Sequence, residues 1–105
     1  MSARDRLPDR RRCETLEFAH AGQLFTLTAG LYRDGRLAEI FLSARHIGSP
    51  LESISRDGAI LVSLCLQHGC DIGTIHRALT KDNDGGAATA IGAALAALLT
   101  REAAP

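Results

Sequence analysis

The chain has 105 residues, a length that a single hydrophobic core accounts for, so we predict one domain. Basic and acidic residues number 12 each, and the net charge of +0 gives no overall attraction to nucleic acid or to an anionic membrane, although it permits self-association. No apolar run approaches the roughly 20 residues that a membrane span needs, and the charged N-terminus is unlike a signal peptide; we therefore expect a cytoplasmic protein with no membrane partner.

The first residues are rich in arginine and show no apolar periodicity. They predict a flexible basic arm over residues 1–13, ahead of a single α+β domain over residues 14–102. Arginines neutralise phosphates and release counterions, so this arm would bind an anion or nucleic acid. The candidate ligands are three adjacent arginines: Arg10, Arg11 and Arg12. A solvated terminus, partly neutralised by its own aspartates, is the alternative.

After the arm, apolar residues recur with a period of two, which predicts three strands: Thr15–His20, Gln23–Tyr32 and Leu37–Leu42. Two-residue turns at Ala21-Gly22 and Asp34-Gly35 would join them into an antiparallel meander. With both turns in place, Phe18 lies opposite Phe25, Tyr32 lies opposite Leu37, and nine apolar side chains share one face. These nine are Leu16, Phe18, Phe25, Leu27, Ala29, Leu31, Ala38, Ile40 and Leu42.

The other face of the predicted sheet is also partly apolar. Contiguous exposed apolar surface usually marks a binding site, so we predict that this outer strand face binds a partner or a second copy of the chain. Its candidate residues are Leu24, Tyr32, Leu37, Glu39 and Phe41. The alternative is that the arm or the C-terminal helix covers this face. Glu39 is the carboxylate on this face with the strongest case for a specific partner, but a solvated strand glutamate next to Thr28 is the favoured interpretation.

The stretch from Ser49 to Gly69 is the most apolar in the chain and has marked ends. Ser49 can accept hydrogen bonds from the first helical amides, Pro50 suits the first helical position, and Glu52 completes a capping box. Gly69 supplies a left-handed end. These signals predict a central helix over Ser49–Gln67.

At helical spacing, this helix places several small or apolar residues on one face, which we expect to be buried. They are Ile54, Gly58, Leu61, Val62 and Cys65, with Ile60, Leu64 and Leu66 beside them. So apolar a surface should be covered on more than one side by the sheet and by other helices.

Two cationic residues, Arg45 and His46, precede the start of this helix. Cations are unfavourable near a helix N-terminus, whereas the free amides there attract anions. An anion such as phosphate would suit both features, and a simple polar loop is the alternative.

Two further helices are predicted after Gly69. Ile72–Thr80 is capped by Asp71, and Ala88–Arg101 follows the polar loop Lys81–Gly86. The complete prediction is an α+β fold in which three helices pack on one face of a three-stranded antiparallel meander.

The three cysteines are an odd number, which is typical of reduced thiols and not of a secreted disulfide framework. Two of them lie near two histidines in the sequence, and all four are residue types that zinc prefers. The four residues are Cys65, His68, Cys70 and His76. Their spacing does not match the paired zinc-finger motifs, so we predict no metal site and no cofactor. A metal or redox role for Cys65 and Cys70, with the nearby histidines, is the alternative.

Three stretches resemble the TSCPD domain: Asp34–Phe41 (DGRLAEIF), the Gly48-Ser49 pair, and Ala59–Gly69 (AILVSLCLQHG). This family includes the small C-terminal domain of adenosylcobalamin-dependent ribonucleoside-diphosphate reductases and short stand-alone bacterial proteins, which are similar over nearly the whole chain. The stretch expected to carry the family's name-giving pentapeptide, Gly85–Thr89, reads GGAAT. A cysteine-dependent role of that motif therefore does not transfer.

The resemblance implies an accessory or binding module without activity alone. Ribonucleotide reduction requires a large barrel, a reducing cysteine pair and pockets for cobalamin and nucleotide, which 105 residues cannot hold. The implied partners are a ribonucleotide reductase subunit or a second copy of the chain. Nucleic acid, bound through the arm, is the alternative partner.

Overall fold

The computed structural model describes residues 3–45 and 48–103, with the side chains of residues 101–103 outside that description. Three strands precede three helices, and the predicted α+β class is confirmed. The strands are β1 (Cys13–His20), β2 (Gln23–Leu31) and β3 (Leu37–Ala44). The helices are α1 (Pro50–Gln67), α2 (Ile72–Ala78) and α3 (Ala90–Ala103).

The strands form one antiparallel sheet in the order β1-β2-β3. Phe18 lies opposite Phe25 as predicted, and their stacked rings have centroids 5.5 Å apart. The predicted pairing of β2 with β3 holds from Phe25 to Gly30. It then shifts by one residue, so that Leu31 and not Tyr32 lies opposite Leu37. Strand β3 ends up at one edge of the sheet, which matters for the site described below.

The two strand links differ from each other. Ala21 and Gly22 form the predicted two-residue turn, and both have positive φ, at 52° and 78°. The predicted two-residue turn at Asp34-Gly35 is wrong, because the strands end at Leu31 and restart at Leu37. Within this longer link the Tyr32 amide donates to the Arg36 carbonyl over 2.9 Å, which accommodates the register shift.

The core lies between the sheet and the helices. Seven of the nine side chains predicted on the inner sheet face are buried, and Leu16 and Phe18 pack partly buried beside them. The helices contribute eight buried apolar residues to the same core: Ala59, Val62, Leu66, Ile72, Ala90, Ala94, Leu95 and Leu98. Burial of this apolar surface, at about 25 cal/mol per Å², is the main stabilising term of the fold.

The later helices differ from prediction only at their ends. Helix α2 ends at Ala78 instead of Thr80, and α3 runs from Ala90 instead of Ala88. None of the helices found in residues 3–45 and 48–103 combines the length and the apolar character that a membrane crossing requires.

The predicted buried face of α1 is confirmed at Val62 and Leu66 and is wrong at its other large apolar residues. Its buried residues are Glu52, Ser55, Ala59, Val62, Leu66 and Gln67, most of them small or polar. Four large apolar residues face outward instead: Ile54, Ile60, Leu61 and Leu64. Cys65 is exposed as well. As expected, α1 is covered by the sheet on one side and meets Ile91 of α3 beside Gly58, but the side that carries these four apolar residues is exposed.

The N-terminal arm lies against the domain in the described residues. The Asp5 amide donates to the Gln67 carbonyl over 2.8 Å, and the Leu31 amide donates to the Arg12 carbonyl over 2.9 Å. Strand β1 continues directly from the arm at Cys13, before the predicted start at Thr15. The arm thus connects the end of α1 to the sheet.

Candidate functional site

The start of α1 is fixed by the predicted caps. The Ser49 hydroxyl accepts from the Glu52 amide over 3.1 Å, and the Glu52 carboxylate accepts from the Gly48 amide over 2.9 Å. Two amides that would otherwise lack intrahelical partners are satisfied in this way. The buried Glu52 carboxylate is thereby held at the first turn of α1.

A groove of about 470 Å³ separates the N-terminal half of α1 from the edge of β3. Six consecutive residues of the strand and its end line one wall, from Ile40 to Arg45. Glu52, Arg56, Ala59 and Ile60 of α1 line the other. A groove of this size at a strand edge can accept a segment of another chain.

The surface next to the groove is apolar. Phe41 projects from the outer strand face with 52% of its surface exposed, and Ile60 lies across the groove with 55% exposed. Leu61 and Leu64, which follow Ile60 on α1, are also exposed but do not line the groove. We refer to Phe41, Ile60, Leu61 and Leu64 together as the apolar rim. An exposed cluster of large apolar side chains is typical of an interaction site.

The outer strand face predicted to bind a partner is divided in two by the structure. At one end, Leu24 and Phe41 are exposed. At the other end, Tyr32 and Glu39 are buried and Leu37 is half-buried against the core. Partner binding on this face therefore remains a prediction only for the Leu24–Phe41 end, next to the groove.

The arm covers the buried end. The Tyr32 hydroxyl donates to the Asp5 carbonyl, and burial, followed by the negative charge of Asp5, raises the pKa of Tyr32. Arg11 forms an ion pair with the buried Glu39 carboxylate. Glu39 thus has a specific partner and is not the solvated strand glutamate that the sequence favoured, and Arg11 is engaged within the protein.

The candidate anion ligands of the arm lie together, apart from the candidate before α1. Arg10, Arg11 and Arg12 line a small cleft of about 240 Å³, together with Arg33. Arg45 lies at the opposite end of the sheet and lines the groove instead. His46 lies outside the described residues. An anion-binding role for the arm remains a prediction.

The cysteine and histidine cluster lacks the geometry of a metal site. Cys65 and Cys70 are both exposed and unbridged, and the Cys70 amide donates to the Cys65 carbonyl over 3.0 Å. Partial burial, with the neighbouring Cys70, raises the pKa of the Cys65 thiol and so disfavours its reactive thiolate. In the part of the chain that the structure describes, no three histidine, cysteine, aspartate or glutamate side chains are placed to hold a metal, and this includes His68 and His76.

Two residues that sequence reasoning missed define the limits of the groove. The Ser63 hydroxyl accepts from the Ile40 amide over 2.9 Å, and its proton is shared between the Ala59 carbonyl at 2.8 Å and the Ile40 carbonyl at 3.1 Å. The side-chain amide of Gln67 donates from Nε2 to the Ala38 carbonyl over 3.2 Å. Both are polar residues one helical turn apart in an otherwise apolar half of α1, and that spacing is the signal that would have identified them.

Comparison with known proteins gives one family match and several relatives. Residues 3–103 match the family described as the TSCPD domain. The chain is 42% identical over 69 residues to the vitamin B12-dependent ribonucleotide reductase of Bradyrhizobium diazoefficiens, a match that covers 66% of this chain and 6% of the reductase. It is 36% identical over 72 residues to the protein of the same description from Rhodopirellula baltica, covering 69% of this chain and 7% of that protein.

A third relative is the vitamin B12-dependent ribonucleotide reductase of Agrobacterium fabrum, which is 35% identical over 66 residues, 63% of this chain and 5% of that protein. The matched segment thus makes up between 5% and 7% of the length of these curated relatives. No solved structure matches the chain significantly.

Proposed function

The chain belongs to the TSCPD domain family, and from this membership we propose that it is an accessory binding module of ribonucleotide reduction that docks on a larger reductase protein and is not catalytic alone. In the relatives, the matched segment is a small part of a much longer reductase chain. A domain of this kind therefore exists in covalent connection with a reductase, and a docking surface would serve the same association between separate chains.

The apolar rim beside the groove is the observation that carries this proposal. Phe41, Ile60, Leu61 and Leu64 expose large apolar side chains on two neighbouring elements, β3 and α1. Burying such a cluster against a partner stabilises a complex by about 25 cal/mol per Å² of apolar surface before the costs of association. Phe41 lies outside the Tyr32 end of the outer strand face, which the arm covers.

The absence of catalytic activity alone is argued from the chemistry of the described residues. The Cys65 thiol has a raised pKa, and the groove is lined by apolar side chains, two arginines and Ser43, with Glu52 held in the helix cap. A groove with these residues can bind a segment of another protein, but it offers no activated nucleophile or paired acid and base.

The test is binding to the vitamin B12-dependent ribonucleotide reductase of the same organism, with both proteins purified and the affinity measured by sedimentation or interferometry. We expect Ile60→Asp to weaken binding at least about tenfold, because a charge would be buried at the interface. Ile54→Asp is the matched control, since Ile54 is 70% exposed on the same helix but does not line the groove.

Two outcomes would overturn this docking role. One is that the unaltered chain does not bind the reductase, or that the organism has no such enzyme. The other is that Ile54→Asp weakens binding as much as Ile60→Asp, which would place the contact elsewhere on α1.

A further inference from the structure

Strand β3 has one edge that faces away from the rest of the sheet. Its other edge pairs with β2, and the amide and carbonyl of Ile40 point away from β2 to reach the Ser63 hydroxyl. In an antiparallel pair, the residues whose polar groups face outward alternate along the strand. Leu42 and Ala44 therefore direct their amides and carbonyls to the same free edge as Ile40.

Helix α1 satisfies this edge only in part. Gln67 meets the carbonyl of Ala38, and Ser63 meets Ile40. Farther along, α1 separates from the strand, and the groove opens where Leu42 and Ala44 present their groups. Among the described residues, no hydrogen bond reaches Leu42 or Ala44 from the side of the groove. An open strand edge of this kind is a template for pairing with another extended chain.

The charges at the groove indicate what that chain should carry. Arg45 and Arg56 both line the groove and are exposed, and the ion pairs formed by the described residues involve neither of them. The nearby Glu52 carboxylate is buried and engaged with the Gly48 amide. The two guanidinium groups are thus available to an external carboxylate, while Phe41 and Ile60 offer apolar contacts beside them.

We propose that the groove binds an extended segment of a partner protein, which adds as a fourth strand along Leu42 and Ala44 of β3. The segment alternates apolar side chains, which contact Phe41 on the outer face of the sheet, with acidic side chains, which face α1 and pair with Arg56. Main-chain hydrogen bonds supply part of the affinity, and the alternate side chains supply specificity. This inference rests on the proposed docking role and defines the form of the docked partner.

The test uses two synthetic peptides that differ only in the sign of their charge. The acidic probe is acetyl-Thr-Val-Glu-Val-Glu-Val-Thr-amide, and its counterpart has lysine in place of glutamate. Each is titrated into the isotope-labelled chain, and amide chemical shifts and amide exchange are recorded by NMR. We expect the Leu42 and Ala44 amides to shift and to exchange more slowly, with the acidic peptide binding at least about fivefold more tightly.

Charge reversal distinguishes specific binding from general attraction. Arg56→Glu should remove or reverse the preference for the acidic peptide. Arg33→Glu is the matched control, because Arg33 is an exposed arginine near the opposite end of the sheet and should leave the preference unchanged. Equal binding of the two peptides, or shifts that map away from Leu42 and Ala44, would overturn the proposal.

A second copy of the chain is the competing occupant. If the Leu42 and Ala44 amides shift when the chain alone is concentrated, self-pairing occupies the edge and the partner segment is ruled out.

Titration with the reductase separates the docking role from strand addition. Reductase binding without protection of Leu42 and Ala44 would end strand addition but keep the docking role. Protection by the acidic peptide without reductase binding would end the docking role but keep strand addition.

Discussion

The buried Glu39 side chain occupies the space that a side chain at Gly30 would fill. A Cβ atom at Gly30 would lie 2.5 Å from Glu39 Oε2 and 2.7 Å from its Cγ, closer than atoms in contact can be. We therefore expect Gly30→Ala to displace the carboxylate from Arg11 and to lower the free energy of unfolding by about 1–3 kcal/mol. Urea denaturation followed by circular dichroism measures this change.

Two controls separate this clash from a general effect of glycine replacement. In a Glu39→Ala background the clash is gone, so Gly30→Ala should have little or no cost. Gly58→Ala should instead stabilise the chain by up to about 1 kcal/mol, because its Cβ would meet Ile91 at an ordinary 3.5 Å within a helix. An equal loss from Gly30→Ala in both backgrounds would contradict the proposed clash.

At the scale of elements, the cap of α1 fixes one wall of the groove. Ser49→Ala removes the hydroxyl that accepts from the Glu52 amide, and we expect a loss of about 1 kcal/mol in the free energy of unfolding. Ser53→Ala is the matched control, since Ser53 is exposed in the first turn and alanine favours helix there. Thermal unfolding of both variants decides the point, and equal melting temperatures would show that the cap does not stabilise the domain.

The strands could be predicted from the sequence because apolar and polar residues alternate along them, and the apolar ones are those that the fold buries. Phe25 and Leu27 point to the core, and Thr26 between them does not. The same reasoning failed for α1, where the most apolar residues are exposed and Ala59 and Ser55 are buried. Hydrophobicity identifies the face that is least suited to water, and in α1 that face is left open instead of entering the core.

The groove could not be predicted because it depends on the angle between two elements. Ser63 and Gln67 approach the edge of β3 only after the chain has folded, and the edge is open only where α1 has moved away from it. Composition gave no indication of this geometry. Phe41 was found by strand alternation, whereas Arg56 and Ile60 were identified only by their position across the groove.

At the scale of the whole molecule, the arm and the groove occupy opposite ends of the outer strand face. The arm residues Asp5 to Pro8 lie beside Tyr32, and its hydroxyl is held by the Asp5 carbonyl. Burial raises the pKa of Tyr32, and the charge of Asp5 adds to the effect. The phenol is thus kept protonated by the packing of the arm, and its titration reports whether the arm is in place.

Tyr32 is the sole tyrosine, so tyrosinate absorbance measures its titration without interference. Because its pKa is higher in the folded chain than the ordinary value of about 10, the unfolded chain loses this proton first. The stability that Tyr32 contributes is therefore complete below about pH 10 and falls as pH rises through the folded pKa.

Removing residues 1–12 should expose the ring of Tyr32, lower its pKa towards the ordinary value and reduce that alkaline loss of stability. Asp5→Asn is the control, and it should keep most of the upward shift because burial is the larger cause. If the chain without the arm titrates like the full chain, the arm does not pack on Tyr32 in solution.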